Sequence, residues 1–187
     1  MRSATAKSPI TPAEVQVRDA AQGDIAAIQS IYAHHVLHGL ATFEEVPPDA
    51  AEMRRRHDEI AGRGLPYLVA GEGQGVLGFG YCAPYRARSA YRYALEDSVY
   101  VKDGQLGKGI GNRLLAELLA RSERLGYRQV IAVIGDSANA PSIALHARHG
   151  FLRVGTLRST GYKLGRWVDS VLMQRPLGSG DGTPPAT

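Results

Sequence analysis

The chain has 187 residues, a formal net charge of +4 and one cysteine, Cys82. This length suits one domain with its own core, and a single cysteine excludes an intrachain disulfide and favours a reducing compartment, so we expect the cytoplasm. The basic triplet Arg54-Arg55-Arg56 is too short for a nucleic-acid groove and is typical of a solvated helix face. We therefore expect an anionic small-molecule partner, and neither nucleic acid nor a membrane.

Hydrophobic periodicity and turn residues predict one domain at 15–177 between disordered tails at 1–14 and 178–187. The predicted order of elements is a strand at 15–18, a helix from 24, a polar helix at 48–63, strands at 67–70, 76–83 and 94–101, a helix that buries Leu114, Leu115, Leu118, Leu119 and Leu125, a strand at 129–134, a helix ending at Gly150, and strands at 151–156 and 168–175 joined by a loop at 157–167.

A glycine-rich segment after the fourth predicted strand is the most informative motif of the chain. Gly107, Gly109 and Gly111 alternate just before the leucine-rich helix. Such a loop lets successive N–H groups approach an anion at the positive end of a helix, so a phosphate or pyrophosphate is the expected ligand. A dinucleotide fingerprint would require glycine at 112 and a P-loop would require lysine at 110, and neither is present. A glycine-rich turn without a ligand is the alternative.

The order V-x-V, a short loop, G-x-G-x-G and a leucine-rich helix resembles the GNAT family of N-acetyltransferases, as does the segment from Asn139 to Phe151. The resemblance implies an α/β fold with a central mixed, mostly antiparallel sheet flanked by helices, and acetyl-coenzyme A as co-substrate. The residues that it implies for coenzyme binding are Val99, Tyr100, Val101, Gly107, Lys108, Gly109, Ile110, Gly111, Asn112, Asn139 and Ser142.

A second, narrower resemblance covers residues 81–101, which are similar to the phosphinothricin and methionine sulfoximine acetyltransferases. It implies that Glu96 is the general base and that Arg86 and Arg88 bind the acidic groups of a small amino-acid analogue. A solvated, flexible loop is the other interpretation of these arginines. The segment Ala41-Thr42-Phe43-Glu44 also resembles a segment of these enzymes, and together the two stretches imply the substrate-binding residues Phe43, Arg86, Arg88, Ser89, Ala90 and Tyr91.

The chemistry of acetyl transfer requires a base more than an acid, because the amine must lose a proton while a thiolate leaves readily. Glu96 and Asp97 are the adjacent candidates, and strand alternation sends them to opposite faces, so we expect only Glu96 in the site. His146 occupies the position at which many relatives carry a tyrosine acid. It either donates a proton to the thiolate or only packs against the coenzyme.

These observations predict a direct acetyl-coenzyme A-dependent N-acetyltransferase that acts on a phosphinothricin, methionine sulfoximine or methionine sulfone type of substrate, as a homodimer. The alternatives are another acceptor, such as a protein N-terminus, a polyamine or an aminoglycoside, and a coenzyme-binding regulator without catalysis. No metal is expected, because the adjacent His34 and His35 diverge on a helix. Cys82 lies in an apolar strand and is expected to be a buried structural thiol.

Overall fold

The computed structural model describes residues 15–73 and 75–185, so the predicted N-terminal tail lies outside the described residues. Within them, the chain forms seven strands and four α-helices. In chain order these are β1 (Gln16–Asp19), α1 (Ile25–His38), α2 (Ala50–Gly62), β2 (Tyr67–Glu72), β3 (Gly75–Pro84), β4 (Ala94–Val101), α3 (Ile110–Arg124), β5 (Gln129–Gly135), α4 (Ala140–Arg148), β6 (Leu152–Lys163) and β7 (Arg166–Pro176). None of the helices in this part of the chain combines the length and apolar character that a membrane span requires.

The strands form one mixed sheet in the order β1-β2-β3-β4-β5-β7-β6. Every neighbouring pair is antiparallel except β4 and β5, which run parallel. This parallel ladder pairs only residues 94–97 with residues 129–132, although both strands continue beyond it. The predicted mostly antiparallel sheet is therefore confirmed, and it contains an opening where β4 and β5 separate.

The helices cover both faces of the sheet, and alternation along β3 and β4 assigns each side chain to one of them. Phe79 and Tyr100 stack on the face covered by α1, where the ring of Tyr32 contacts both. On the opposite face the backbone at Gly80 lies close to Leu118 of α3. Residues on adjacent positions of β4 therefore face two different layers of the protein.

Side-chain caps and glycines fix the ends of the helices near the site. Asp49 accepts a hydrogen bond from the backbone N–H of Glu52 (2.8 Å) and begins α2, as expected for an N-cap aspartate. Gly109 precedes α3 with a positive φ of 79°, a conformation in which other residues are strained. The predicted apolar face of α3 is confirmed for its four leucines at 114, 115, 118 and 119, whereas Leu125 is exposed because the helix ends before it.

The prediction of a loop at 157–167 is wrong, because β6 continues to Lys163 and β7 begins at Arg166. The two strands form a hairpin whose turn, Leu164-Gly165, has positive φ at both residues, as in a tight type I′ turn. Irregularities in the β6–β7 register, between residues 153 and 155 and between 157 and 161, interrupt the alternation of side chains along β6. Because the apolar and polar residues do not alternate regularly here, the sequence pattern does not predict a strand.

The predicted C-terminal tail at 178–187 lies partly within the described residues. Residues 178–183 form turns, and the guanidinium of Arg128 donates hydrogen bonds to the carbonyl oxygens of Gly180 (2.9 Å) and Thr183 (2.6 Å). Leu177, just before these turns, is buried in the core. The composition of the segment does not predict these contacts.

Candidate active site at the opening of the sheet

The opening between β4 and β5 exposes backbone groups that the sheet does not use. The hydrogen bond from the N–H of Lys102 to the Leu77 carbonyl (2.9 Å) fixes the phase of the β3–β4 ladder. In this phase the backbone of Tyr100 bonds to β3, whereas the N–H and C=O groups of Val99 and Val101 point toward β5. Because β5 has diverged there, these groups are available to an extended ligand, except the Val101 carbonyl, which lies 2.9 Å from His35 Nε2.

A cavity of about 50 Å³ occupies this opening. The predicted coenzyme residues Val99, Asn139 and Ser142 line it together with His146. Tyr100 also borders it, but its ring lies in the core on the other face of the sheet. The full set of lining residues is Ala41, Asp97, Ser98, Val99, Tyr100, Ala132, Val133, Ile134, Gly135, Asn139, Ser142 and His146.

The glycine loop lies directly before α3, as predicted, and leads to its first turn. Gly107 and Gly109 both have positive φ, and the N–H groups of Ile110, Gly111 and Asn112 belong to the unsatisfied first turn of a helix. Such a turn carries partial positive charge and can bind a phosphate. A Cβ at Gly111 would lie 3.3 Å from Leu145, so this glycine also allows α3 to approach α4 closely.

Two side chains of the loop already have protein partners. Lys108 Nζ donates a hydrogen bond to Gln105 Oε1 (2.8 Å), and Asn112 Oδ1 lies 2.9 Å from His149 Nε2. Burial is the main reason why the pKa of His149 is lowered, so this ring is neutral near pH 7 and donates to Asn112. Because these two side chains are already hydrogen-bonded within the protein, the backbone N–H groups are the donors that an anion can reach without breaking a side-chain contact.

The first turn of α4 is capped by one of the predicted coenzyme residues. Asn139 Oδ1 accepts a hydrogen bond from the N–H of Ser142 (3.2 Å), and its amide group donates to the Gly135 carbonyl (3.4 Å). The cap ties α4 to the end of β5 and thereby positions His146, one further turn along the helix. Asn139 thus sets the geometry of this side of the opening.

His146 forms a buried ion pair with Asp97, a partner that the sequence reasoning excluded from the site. The distance from Nε2 to Asp97 Oδ2 is 3.0 Å, and Nδ1 lies 2.8 Å from the carbonyl oxygen of Ser142. Burial opposes a charged ring, but the hydrogen bond and the charge of Asp97 outweigh it, so the pKa of His146 is raised. Asp97 lines this cavity although its side chain faces away from Glu96, because the cavity lies within the plane of the sheet, where β4 and β5 separate.

A Ser-His-Asp row formed by Ser142, His146 and Asp97 does not amount to a nucleophilic triad. Ser142 Oγ is 3.5 Å from His146 Nδ1, but this nitrogen lies closer, at 2.8 Å, to the Ser142 carbonyl, which can only accept a hydrogen bond. Nδ1 is therefore protonated and cannot take a proton from the serine hydroxyl. Cys82 is no alternative nucleophile, because burial raises the pKa of its thiol to about 12.

Glu96 lies on the face of the sheet opposite to Asp97, as the alternation of β4 predicts. It is half-buried and pairs in register with Ala83 of β3. Burial raises the pKa of its carboxyl group, the charge of Asp97 adds to this effect, and Arg86 opposes it. A raised carboxyl pKa brings the group closer to the range of a general base at neutral pH.

A larger cavity of about 500 Å³ lies on the same face as Glu96. Arg86 is the predicted substrate residue that lines it, and its guanidinium lies over the Tyr85 ring, 5.0 Å from the centroid. Arg88, Ser89, Ala90 and Tyr91 lie in the exposed connection between β3 and β4 and do not line the cavity. The lining residues are Tyr32, Met53, Arg56, Glu59, Ile60, Arg63, Tyr67, Tyr81, Ala83, Pro84, Arg86 and Ala87.

Arg56 departs from the prediction of a solvated basic triplet. Its guanidinium donates to Glu44 Oε1 (2.6 Å) and to Glu52 Oε1 (2.8 Å), and it lines the larger cavity. Glu44 also accepts a hydrogen bond from the Tyr32 hydroxyl (2.9 Å). These contacts anchor the α1–α2 connection, which carries the predicted substrate residue Phe43.

Phe43 itself is half-exposed and packs against the β6–β7 hairpin. Lys163 Nζ donates a hydrogen bond to the Thr42 carbonyl (2.7 Å), and the Phe43 ring lies directly over Gly161. Both hairpin residues fall in the stretch predicted as a loop, so the sequence reasoning missed this support. In the sequence, Gly161 and Lys163 are two positions apart and therefore on the same face of a strand, and this spacing is the local signal for a contact of both residues with the Phe43 segment.

No group of three or more potential metal-binding side chains occurs within residues 15–73 and 75–185. His34 and His35 point to different partners, since the ring of His35 faces Val101 whereas His34 lies against the ring of His38.

Comparison with known proteins identifies the family of the chain. The model of the "Acetyltransferase (GNAT) family" matches residues 28–151. The chain is 53% identical over 169 residues to phosphinothricin N-acetyltransferase from Alcaligenes faecalis, which covers 90% of this chain and 86% of that protein. It is 40% identical over 162 residues to the L-methionine sulfoximine/L-methionine sulfone acetyltransferase of Pseudomonas aeruginosa, covering 86% of this chain and 94% of that protein.

Among solved structures, a GNAT superfamily phosphinothricin acetyltransferase from Sinorhizobium meliloti in complex with acetyl-coenzyme A superimposes with a TM-score of 0.89. The two sequences are 48% identical, and the match covers 92% of this chain and 93% of the other. The family model covers residues 28–151, and the relatives match most of the chain. The chain belongs to the GNAT family of acetyltransferases.

Proposed function

We propose that this protein is an acetyl-coenzyme A-dependent N-acetyltransferase that acetylates the amino group of a small amino-acid analogue of the phosphinothricin, methionine sulfoximine or methionine sulfone type. The observation that carries the proposal is the opening between β4 and β5, with the glycine loop at the start of α3 after the end of β4 and with Glu96 in the last paired stretch of β4 before the opening. The names and bound acetyl-coenzyme A of the relatives at 40–53% identity support the substrates.

The opening and the loop suit the parts of the coenzyme. The free backbone groups of Val99 and the Val101 N–H suit the amides of an extended pantetheine arm, and the first turn of α3 suits a pyrophosphate. Lys108 lies in the same loop and adds positive charge beside the phosphates. When bound, acetyl-coenzyme A supplies an activated acetyl group as a thioester.

Glu96 serves as the base on the acceptor side. An α-amino group has a pKa of about 8, so much of it is protonated at pH 7 and must lose a proton before it attacks. The raised pKa of Glu96 makes its carboxylate a better proton acceptor than an exposed glutamate, and the charge of Arg86 offsets part of this rise. His146 lies on the other side of the opening, where the sulfur would leave.

The acceptor suits the cavity on the face of Glu96. Arg86 borders this cavity, Arg88 follows it in the same connection, and a guanidinium binds a carboxylate or a phosphinate by paired hydrogen bonds. Phe43 does not line the cavity in this structure, but it directly precedes Glu44, which binds the lining residue Arg56. We assign Phe43 to the apolar wall of the acceptor site, with Ser89, Ala90 and Tyr91 in the β3–β4 connection. A polyamine would leave the positive charge of the arginines uncompensated.

We further infer a homodimer in the cytoplasm without a nucleic-acid partner. β6 is an edge strand, and it exposes Leu152, Val154 and Tyr162, while Trp167 of β7 packs against Tyr162 with a ring distance of 5.3 Å. Exposed apolar edges of this kind are usually covered in the native assembly. Sedimentation equilibrium should give twice the monomer mass, and a Trp167→Glu variant should shift it toward the monomer.

The enzymatic proposal is tested by thiol release from acetyl-coenzyme A with phosphinothricin, methionine sulfoximine, methionine sulfone, spermidine and an N-terminal peptide offered separately. Release with the amino-acid analogues alone is expected. Faster release with the peptide or spermidine would refute the substrate class, and no release with any acceptor would favour a coenzyme-binding regulator. Glu96→Gln should abolish most of the turnover, whereas Glu72→Gln, at an exposed strand end, should not.

A further inference from the structure

The buried pair of Asp97 and His146 carries a definite protonation state. The side chains are only 1% and 6% exposed, and His146 Nε2 lies 3.0 Å from Asp97 Oδ2. On the other side of the ring, Nδ1 lies 2.8 Å from the Ser142 carbonyl oxygen. An ionised carboxylate and a carbonyl oxygen can only accept hydrogen bonds, so both ring nitrogens carry a proton. The geometry therefore fits an imidazolium at His146 beside an ionised Asp97.

In the described part of the chain, the groups next to this pair carry no second positive charge that contacts Asp97. Its second oxygen, Oδ1, is buried without a hydrogen-bond partner among the described residues. Cys82, opposite Asp97 on β3, is a neutral thiol because burial raises its pKa to about 12. His149, which directly follows the helix that carries His146, is neutral because burial lowers its pKa. Glu96 lies on the other face, and Phe151 presents an uncharged ring to His146 at 5.0 Å.

We propose that Asp97 is a positioning residue that holds His146 as an imidazolium beside the β4–β5 opening, where its positive charge stabilises the departing coenzyme thiolate. This inference rests on the proposed function. Both N–H groups of the ring are engaged by Asp97 and Ser142, so His146 acts through its charge and not by donating a proton. The new C–N bond forms as the C–S bond breaks, sulfur keeps the electron pair, and the amine proton passes to the Glu96 carboxylate.

The acceptor amine and a free histidine ring require opposite pH ranges to act in this reaction. The acceptor amine becomes nucleophilic as the pH rises toward 8, but a free histidine with a pKa of about 6.5 is only about 3% protonated at pH 8. The buried carboxylate of Asp97 keeps the ring charged in the range in which the amine reacts. Without Asp97, the His146 ring would lose its positive charge at the pH at which the acceptor amine becomes deprotonated and able to attack.

Asp97→Asn preserves the shape of the side chain and removes its charge, and Asp103→Asn is the matched control. Asp103 is 73% exposed and lies 3.9 Å from His34, so it repeats the same residue pair at the surface. We expect the ¹⁵N resonances of His146, assigned with His146→Gln, to report an imidazolium at pH 8 in the unsubstituted protein and a neutral ring in Asp97→Asn. Because burial alone lowers the pKa of this ring below that of a free histidine, turnover with saturating phosphinothricin should fall by about 30-fold or more at pH 8, and by less at pH 6.

The experiments test separately the protonation state of His146, the role of its charge in turnover, and the proposed function. A neutral His146 at pH 8 in the unsubstituted protein overturns the inference, and this titration needs no variant that folds. A neutral ring in Asp97→Asn with unchanged turnover at pH 8 overturns the role of the charge in catalysis. Absence of turnover with every amino acid analogue refutes the proposed function instead, and leaves the resonances of His146 as the separate measure of the ion pair.

Discussion

Gly161→Ala tests whether Phe43 forms a wall of the acceptor site. A Cβ at position 161 would lie 2.6, 2.8 and 3.0 Å from three atoms of the Phe43 ring. Ordinary contact begins near 3.4 Å, so the nearest ring atom must retreat by at least 0.8 Å (3.4 − 2.6). The ring is half-exposed and can move outward, whereas Lys163 continues to hold the backbone of Thr42.

This displacement should impair acceptor use more than folding. A shift of about 1 Å in a positioning group can cost about 100-fold in rate, so we expect kcat/KM for phosphinothricin to fall by between about 10-fold and 100-fold. KM for acetyl-coenzyme A should change less than about 3-fold, because its proposed contacts lie on β4, α3 and α4. Steady-state thiol release with each substrate varied in turn measures both quantities.

Gly155→Ala is the matched control on the same strand. A Cβ at position 155 meets nothing within 4 Å, and neither glycine has a positive φ, so the two variants differ in the contact with Phe43. Equal kinetics in the two variants, with a melting temperature unchanged by Gly161→Ala, would refute Phe43 as a wall of the site. A large drop in melting temperature would instead show that the ring cannot yield.

Three further substitutions address the base, the loop and the core. Glu96→Gln should lower kcat/KM by about 10²- to 10⁴-fold. The activity of the unsubstituted enzyme should fall as the pH drops through the pKa of Glu96, which burial raises above the ordinary value, and a pH–rate profile locates this limb. Gly109→Ala forces a side chain into a positive φ at a cost of about 1–2 kcal/mol, so KM for acetyl-coenzyme A should rise about 10-fold while KM for the acceptor stays constant. Leu118→Ala removes a fully buried side chain between α3 and β3, and urea unfolding should show a loss of about 2–5 kcal/mol.

Local sequence determines the elements that the residue pattern predicted well. Gly109 precedes a helix whose leucines repeat on one face, and Asn139 caps a helix with proline in its first turn, so both helix starts follow from neighbouring residues. β6 is different, because the register irregularities around Gly155 and Gly161 interrupt its alternation and its partner strand begins only after the turn. Pairing with β7, and not local preference, makes this segment a strand.

In the site, too, some features follow from neighbouring residues and others from contacts between distant parts of the chain. The glycine loop and Glu96 lie in contiguous motifs, whereas the contact of Asp97 with His146 joins residues 49 positions apart. Alternation along β4 correctly places Glu96 and Asp97 on opposite faces, but it cannot show that β5 turns away after Ala132 and opens the sheet between its two faces. The separation of two strands depends on the whole sheet. The local pattern along β4 therefore could not show that Asp97 lines the cavity between β4 and β5.

The two adjacent carboxylates are also coupled, which extends the consequences of Asp97→Asn to the acid side of the pH profile. Burial raises the pKa of Glu96 most, and the charge of Asp97 raises it further. Removal of that charge should lower the pKa of Glu96, so the acid limb moves to lower pH. The alkaline limb moves in the same direction, because His146 loses the partner that raises its pKa. The expected result is a displacement of the whole bell-shaped profile toward acid. An acid limb that stays in place, or moves toward alkaline pH, would show that Asp97 and Glu96 do not interact across the strand, and Asp103→Asn should leave both limbs unchanged.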